Sequence, residues 1–332
     1  MKIDAYAHIM PPKYEAALCN KQPKNLFIAK YIAGFPALTD LNLRFRIMDK
    51  YDDLMQVLAL EASESWDLLK PQDKVELAKI ANDEMAELVF KHPDRFVAAI
   101  ASLPMSDIDA ALKEVDRAIT DLRFRGVQVF TDVDGKPLDA SEFMPLYEKM
   151  ADYDLPIFIH PQRARTVPDY PVESESKYLV SRIFGWPYET TVAMARLVFS
   201  GIFEKFANLK VMIHHCGAMV PYLADRIAAQ TEHAEMRMGY RYEANLTLRP
   251  LDYYRMFYTD TALYGNTPAL MCGYSFFGAD HLLFGTDMPY DSQLGDRATR
   301  QVVKAIEQMD ISAAEKEKVF EHNVRKLMRL PI

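Results

Sequence analysis

The sequence contains little cysteine and no long apolar run. Three cysteines are spread over 332 residues, and an odd, widely spaced set does not suit a disulfide framework, so we expect a reducing, cytoplasmic environment. No run of about 18 apolar residues is present, so we expect no membrane-spanning segment. The acid in the first four residues, MKID, also breaks the pattern of a signal peptide.

Basic residues are fewer than acidic ones. There are 39 Lys and Arg against 47 Asp and Glu, a formal net charge of −8. Binding to a phosphate backbone needs clustered Lys and Arg, so nucleic acid is not an expected partner. Half of the residues are hydrophobic and 26% are charged, a composition typical of a globular protein. We expect a single domain over residues 1–332.

Glycine-rich nucleotide motifs are absent, and short apolar runs are present instead. Helical stretches with apolar residues at three-to-four spacing separate the runs, which predicts an α/β fold, a (β/α)8 TIM barrel with loop insertions. An open doubly wound sheet is the alternative, but no G-x-G-x-x-G follows any run. The predicted strands are 2–6, 54–60, 96–102, 126–130, 156–160, 211–215, 257–262 and 281–287. The predicted helices are 77–90, 108–122, 143–153, 190–206 and 300–309.

Two predicted connections, 9–46 and 161–187, are too long for simple turns. In a barrel, the loops that follow the strands build the active-site face. We therefore expect both inserted loops to form lids or substrate walls.

Groups that can ligate metals stand at the carboxyl ends of four predicted strands. His8 follows the first, His160 ends the fifth, His214 and His215 end the sixth, and Asp287 ends the eighth. These ends meet at one rim of a barrel, and imidazole and carboxylate groups suit Zn, Mn or Fe(II). Any single histidine could equally be a hydrogen-bonded structural group, but the set predicts a metal or catalytic site. The other histidines are predicted to be structural: His92, His233, His281 and His322.

Eight motifs, in order along the chain, carry a resemblance to a known family. They are MKIDAYAHI at 1–9, GVQV at 126–129, IFIHP at 157–161, ETT at 189–191, GIFEKF at 201–206, HCG at 215–217, FYTD at 257–260 and FGTD at 284–287. The set resembles the amidohydrolase-2 branch of the amidohydrolase superfamily, which contains aminocarboxymuconate-semialdehyde, γ-resorcylate and 5-carboxyvanillate decarboxylases. The likeness runs from residue 1 to about residue 330.

The resemblance implies a distorted (β/α)8 barrel, one divalent transition metal and a homo-oligomer, either dimer or tetramer. Zinc is the first expectation for the metal, with manganese or iron as alternatives. His8, His160 and Asp287 match the family's metal ligands. His215 matches a histidine that acts as an acid or base in the decarboxylases, and Asp287 is a general base in the hydrolases.

The first metal-binding motif departs from the family pattern. Asp-x-His-x-His becomes DAYAH at residues 4–8, so Tyr6 replaces the first histidine. Alternation along the strand places Tyr6 on the same face as His8. Tyr6 is therefore a metal ligand, a hydrogen-bond partner of a metal-bound water, or a packed side chain.

Alternation along the sixth predicted strand predicts that His214, one residue before His215, points away from the barrel interior. Cys216 is predicted to be a packing variant.

Substrate contacts are predicted in the loops. Arg163 and Arg165 follow His160, and a guanidinium suits a carboxylate; a solvated loop charge is the alternative. Trp186, Tyr188 and Tyr290 are expected to form aromatic walls. The basic residues of 9–46 do not match the family's carboxylate-binding residues: Lys24, Lys30 and Arg44.

The resemblance implies a metal-dependent, non-oxidative decarboxylase that acts on a small unsaturated or aromatic carboxylate. One alternative is a metal-dependent hydrolase or hydratase, because the same ligands can activate water. The other is a degenerate or redox-active subunit of a hetero-oligomer, which the tyrosine at position 6 suggests.

Overall fold

Eight parallel strands form a nearly closed barrel, as the sequence predicts. The computed structural model describes residues 1–22, 26–61, 66, 69–242 and 244–332, with backbone alone at 26–29. Each strand pairs with the next along the chain. Backbone hydrogen bonds from Ala5 N to Phe284 O (2.8 Å) and from His8 N to Met288 O (2.9 Å) link the first strand to the segment after the last. The strands are β1 (Lys2–Ile9), β2 (Leu54–Leu60), β3 (Phe96–Ser102), β4 (Val127–Phe130), β5 (Ile157–His160), β6 (Val211–Ile213), β7 (Tyr258–Asp260) and β8 (Leu282–Leu283).

Helices connect the strands. Four of the five predicted helices are present with shifted bounds, and the fifth, 190–206, is divided into Trp186–Phe199 and Ile202–Lys205. The predicted connection 9–46 is itself largely helical, and 161–187 is irregular until a π-helical turn at Ser181–Gly185. No helix among the described residues is long and apolar enough to cross a bilayer. The α-helices are Pro12–Lys21, Leu26–Gly34, Leu41–Met48, Pro71–Lys91, Ile108–Thr120, Met144–Tyr153, Trp186–Phe199, Ile202–Lys205, Ala224–Met238, Pro250–Tyr254, Thr267–Phe277, Asp296–Glu307, Ala313–Glu317 and Asn323–Met328.

The two larger of three apolar clusters among the described residues hold the layers together. The larger one packs the outer faces of the strands against the helices. The smaller one contains the inward-facing strand residues, such as Val57, Ile100, Phe158 and Met212. This division follows from the two-residue period of a strand, which sends alternate side chains to opposite faces.

The first strand carries an irregularity that shapes the site. Its register against β2 shifts between Asp4 and Ala7, so that Ala5 and Tyr6 both belong to the inner cluster. Beyond the shift, Tyr6 and His8 lie on the same face, with ring centroids 4.9 Å apart.

Candidate metal and active site

Three of the predicted ligands converge at the carboxyl-terminal rim of the barrel. His8 lies near the end of β1, His160 ends β5, and Asp287 follows β8. One ligand atom from each lies within 4.8 Å of the other two. Asp287 has a φ of 58°, a left-handed conformation that turns the chain at the rim. Residues separated by as many as 279 positions in the sequence thus meet in one cluster.

The histidines of the cluster are oriented by their neighbours. His160 Nδ1 lies 2.8 Å from the carbonyl oxygen of Pro161, which assigns the proton to Nδ1 and leaves Nε2 as an acceptor. Burial, reinforced by His8 and His214, holds the pKa of His160 well below its ordinary value. The ring is therefore neutral at pH 7, which is the form that ligates a metal.

His8 supplies the observation that tests whether a metal fits. Its Nε2 lies 3.2 Å from Asp287 Oδ1 and its Nδ1 lies 3.4 Å from Glu61 Oε2. Neither buried nitrogen has a well-formed hydrogen bond within the described part of the chain. Buried polar atoms without partners are rare. A divalent cation bound by two imidazoles and a carboxylate would give one of the His8 nitrogens a partner. The residues therefore fit a transition-metal site.

Asp287 also contacts His215, the predicted acid or base. His215 has a φ of 56°, and its Nε2 lies 3.6 Å from Asp287 Oδ2. Burial lowers the pKa of His215, but the interaction with Asp287 outweighs burial and raises it. Burial raises the pKa of Asp287, but His215 and His8 outweigh it and hold that pKa far below its usual range. The pair is therefore an ionised carboxylate beside an imidazole that favours its protonated form.

The prediction that His214 points outward is wrong. Its ring lies inside the barrel, 3.9 Å from Tyr6 and 5.5 Å from His160 between centroids, because alternation along β6 runs through the inward Met212. The next residue would then point outward, but consecutive left-handed conformations at His215 and Cys216 turn the chain and bring His215 back to the rim. Cys216 is buried with a free thiol.

Tyr6 lies beside the cluster and is hydrogen-bonded within the barrel. Its hydroxyl donates to Gln128 Oε1 on β4, and Gln128 Nε2 donates to Leu60 O at 3.3 Å. Burial, together with the charge of Asp287, raises the pKa of Tyr6 well above its ordinary value. The side chain is therefore a neutral phenol whose proton is directed at an amide.

A cavity of about 520 Å³ opens above the cluster. The predicted Trp186 and Tyr290 line it, and the Tyr290 hydroxyl donates to Glu61 Oε2. Arg182 also lines it, with its guanidinium 5.6 Å from the Trp186 ring centroid and 5.9 Å from that of Tyr31. The other described lining residues are Tyr31, Phe35, Glu61, His160, Ile183, Pro187, His215, Ala262, Leu263, Tyr264 and Asp287.

The two predicted arginines are not among the described residues that line this cavity. Arg163 pairs with Glu189 and packs under Gly185. Arg165 is exposed and pairs with Glu175 at 2.8 Å. Arg44 is fully buried, and Lys24 lies outside the described residues. Tyr188 is exposed and is not among the described lining residues.

Three residues of the site were missed in the sequence. Glu61 follows β2 directly and Asp260 ends β7, so the rule that found the histidines, a polar residue at a strand end, also points to them. Asp260 Oδ2 lies 2.7 Å from His214 Nδ1. Arg182 gave no such signal, because it lies in the π-helical turn at the end of a long connection.

Comparison with known proteins shows the family of the chain. The amidohydrolase family profile matches residues 3–330. A 2-amino-3-carboxymuconate-6-semialdehyde decarboxylase of Dictyostelium discoideum is 26% identical, with 99% of this chain and 92% of the relative covered. A γ-resorcylate decarboxylase of a Rhizobium species is 30% identical, with 86% of each chain covered.

A solved structure extends the comparison to the metal. The dihydroxybenzoic acid decarboxylase of a Polaromonas species, with bound manganese and the inhibitor 2-nitroresorcinol, superposes with a TM-score of 0.83. It is 27% identical, and 100% of this chain and 97% of that one are covered. By the extent of the profile match and the identity to these decarboxylases, the chain belongs to the amidohydrolase family.

Proposed function

We propose that this protein is a divalent-metal-dependent decarboxylase of aromatic carboxylates. The observation that carries the proposal is the cluster of His8, His160 and Asp287, which lies directly beneath a cavity with aromatic walls. His8, His160 and Asp287 would hold the ion. When bound, the ion polarises a substrate oxygen that is conjugated to the bond to be broken.

His215 is the proposed proton donor. Its imidazolium, favoured by the ionised Asp287, gives its proton to the ring carbon that bears the carboxylate. A C–H bond forms at that carbon, the C–C bond to the carboxylate breaks, its electron pair restores the aromatic ring, and carbon dioxide leaves. Water then returns the proton to His215. A hydrolase would use the same residues differently; the aromatic walls of the cavity and the 30% identity to a γ-resorcylate decarboxylase support decarboxylation.

Arg182 and Trp186 are the proposed substrate-positioning residues. Arg182 carries the only permanent positive charge among the described residues that line the cavity. Its guanidinium lies near the rings of Tyr31 and Trp186, and a planar guanidinium suits a carboxylate. These features support an anionic aromatic substrate.

Manganese is the proposed ion, because the solved relative contains it; zinc, the first expectation from the sequence, is the second to test. Homo-oligomerisation and a cytoplasmic location stay predictions.

Metal quantification combined with an activity assay tests the proposal. Protein loaded with Mn²⁺ should bind about one equivalent and decarboxylate γ-resorcylate or a related hydroxybenzoate. His160→Ala should lose at least about 100-fold in metal affinity, since removing even an outer partner of a ligand costs 10–100-fold. His233→Gln is the matched control, because His233 is exposed on the helix Ala224–Met238. Wild-type protein that takes up no divalent metal would refute the proposal.

A further inference from the structure

His214 has one ring nitrogen for which the proposed mechanism has no use. The residue is 2% exposed, and its Nε2 has no hydrogen-bond partner within the described part of the chain. A buried nitrogen without a partner needs a physical explanation, and one such explanation is that the nitrogen binds a metal ion.

The other ring nitrogen is held in the manner of a metal-ligating histidine. His214 Nδ1 lies 2.7 Å from Asp260 Oδ2. Asp260 is itself fixed, because its Oδ1 accepts hydrogen bonds from Ala262 N at 3.0 Å and from Cys216 N at 3.3 Å. A carboxylate on Nδ1 sets the tautomer and raises the basicity of Nε2, which is the arrangement found behind histidine ligands.

The surroundings of the ring point to the same site. Nε2 is the ring nitrogen that Asp260 does not engage, and the ring centroid lies 3.9 Å from that of Tyr6. The His214 and His160 ring centroids are 5.5 Å apart, close to the 5.1 Å that separates His8 and His160. The inferred ligands would therefore be spaced alike around His160. His214 does not belong to the three-residue group within 4.8 Å, so its ring must pivot on the Asp260 hydrogen bond to join it.

Tyr6 explains why an additional ligand is needed. Its hydroxyl donates to Gln128, so the first strand offers His8 alone as an imidazole ligand. We propose that His214 Nε2 is a further protein ligand of the metal, supplied from the sixth strand. The inference rests on the metal site of the proposed function.

Electron spin-echo spectroscopy of the Mn²⁺-loaded protein tests the inference, because it counts coordinated imidazole nitrogens independently of turnover. The wild-type protein should show three coordinated imidazoles and His214→Gln two, with at least tenfold weaker Mn²⁺ binding. Asp260→Asn, which keeps the imidazole but weakens its orientation, should reduce affinity less. His233→Gln should match the wild type in both readouts.

Two results would overturn the inference and leave the proposed function standing: two imidazoles in wild-type protein, or three that persist in His214→Gln and fall to two in His215→Gln. If His214→Gln does not fold, His215→Gln still decides. A count that stays at three in that variant leaves His214 as the third imidazole, because His8 and His160 account for only two, and a count of two assigns the third imidazole to His215. Absence of Mn²⁺ binding would reject both the inference and the proposed function.

Discussion

At the residue scale, the surroundings of Tyr6 bear on whether its side chain binds a metal or packs in the barrel interior. Its phenol is buried, neutral and hydrogen-bonded to Gln128, and these features favour the packed alternative over a phenolate ligand. The hydroxyl of Tyr6 instead satisfies the amide oxygen of Gln128 in the barrel interior.

Tyr6→Phe should leave Mn²⁺ affinity within about threefold of wild type and lower the free energy of unfolding by about 1–2 kcal/mol, because Gln128 Oε1 loses its donor. Titration with Mn²⁺ and urea denaturation measure the two quantities. Tyr147→Phe is the matched control, since Tyr147 is an equally buried phenol that donates to Leu138 O at 2.9 Å. A metal affinity that collapses in Tyr6→Phe alone would show that Tyr6 is a ligand.

Arg182→Gln should raise KM for an aromatic carboxylate at least tenfold and change kcat less than about threefold, because a charge-assisted hydrogen bond to bound substrate contributes about 1.5–3 kcal/mol. The KM of Arg182→Lys should lie between those of the wild type and Arg182→Gln, since an ammonium keeps the charge but not the planar pair of donors. Arg226→Gln, on the exposed face of another helix, is the control. Unchanged KM in Arg182→Gln would remove Arg182 from the substrate site.

Much of the cluster could be predicted from one physical rule, that the carboxyl ends of parallel strands meet. The rule predicts the positions of His8, His160, His215 and Asp287 from the sequence alone. It could not orient His214, because the inward or outward choice depends on the strand's register and on the left-handed turn at His215 and Cys216. Neither the register nor the turn can be predicted from the type of any single residue.

At the scale of elements, the helix Leu41–Met48 supports the backbone at His8 through a buried arginine. Arg44 is fully buried, and its Nη1 donates to His8 O at 2.7 Å while its Nε donates to Gln56 Oε1 at 2.8 Å. The guanidinium thus fixes the backbone of β1 at the point where His8 enters the cluster.

Arg44→Met should lower the free energy of unfolding by about 2–4 kcal/mol, since it leaves a buried carbonyl and a buried amide oxygen without donors. Arg95→Met, which removes a partly exposed arginine paired with Asp49 at 2.6 Å, should cost about 1 kcal/mol or less. Urea denaturation of both variants measures the difference. Equal losses of unfolding free energy in the two variants would mean that the buried hydrogen bonds of Arg44 stabilise the protein no more than an exposed ion pair does.

The strands were easier to predict than the helices of 9–46. Buried parallel strands have nearly continuous apolar runs, which are visible in sequence. The helices there carry weaker patterns but do have start signals: Pro12 at a first helical position, and Asp40, whose side chain accepts from Leu43 N at 3.0 Å. Reading these caps would have divided the connection into helices.

At the scale of the whole molecule, Asp4 joins the first strand to the end of the last. It accepts hydrogen bonds from Thr286 N at 3.0 Å and from Thr286 Oγ1 at 2.5 Å. Burial raises the pKa of Asp4 from 3.8 to about 6, against the opposing effect of the Thr286 hydrogen bonds. The folded protein therefore holds this proton more tightly than the unfolded chain does.

The stability contributed by protonated Asp4 should be present below about pH 4 and disappear as the pH rises through about 6, a loss of about 3 kcal/mol from this group. Other groups titrate in the same range, so the measured quantity is the difference between wild type and Asp4→Asn. The variant should gain stability relative to wild type between pH 4 and pH 7. Asp310→Asn, at an exposed position, should show no such trend; a flat difference for Asp4→Asn would contradict the raised pKa.

The most direct measurement follows the fate of the carboxyl carbon. Mn²⁺-loaded protein is incubated in D₂O with γ-resorcylate labelled with ¹³C at the carboxyl group, and the products are followed by NMR. The proposed function predicts labelled carbon dioxide and one deuterium at the ring carbon that lost the carboxylate, with both signals lost in His160→Ala. Metal-loaded protein that leaves this substrate and related hydroxybenzoates intact, while hydrolysing an ester or amide through the same ligands, would contradict it.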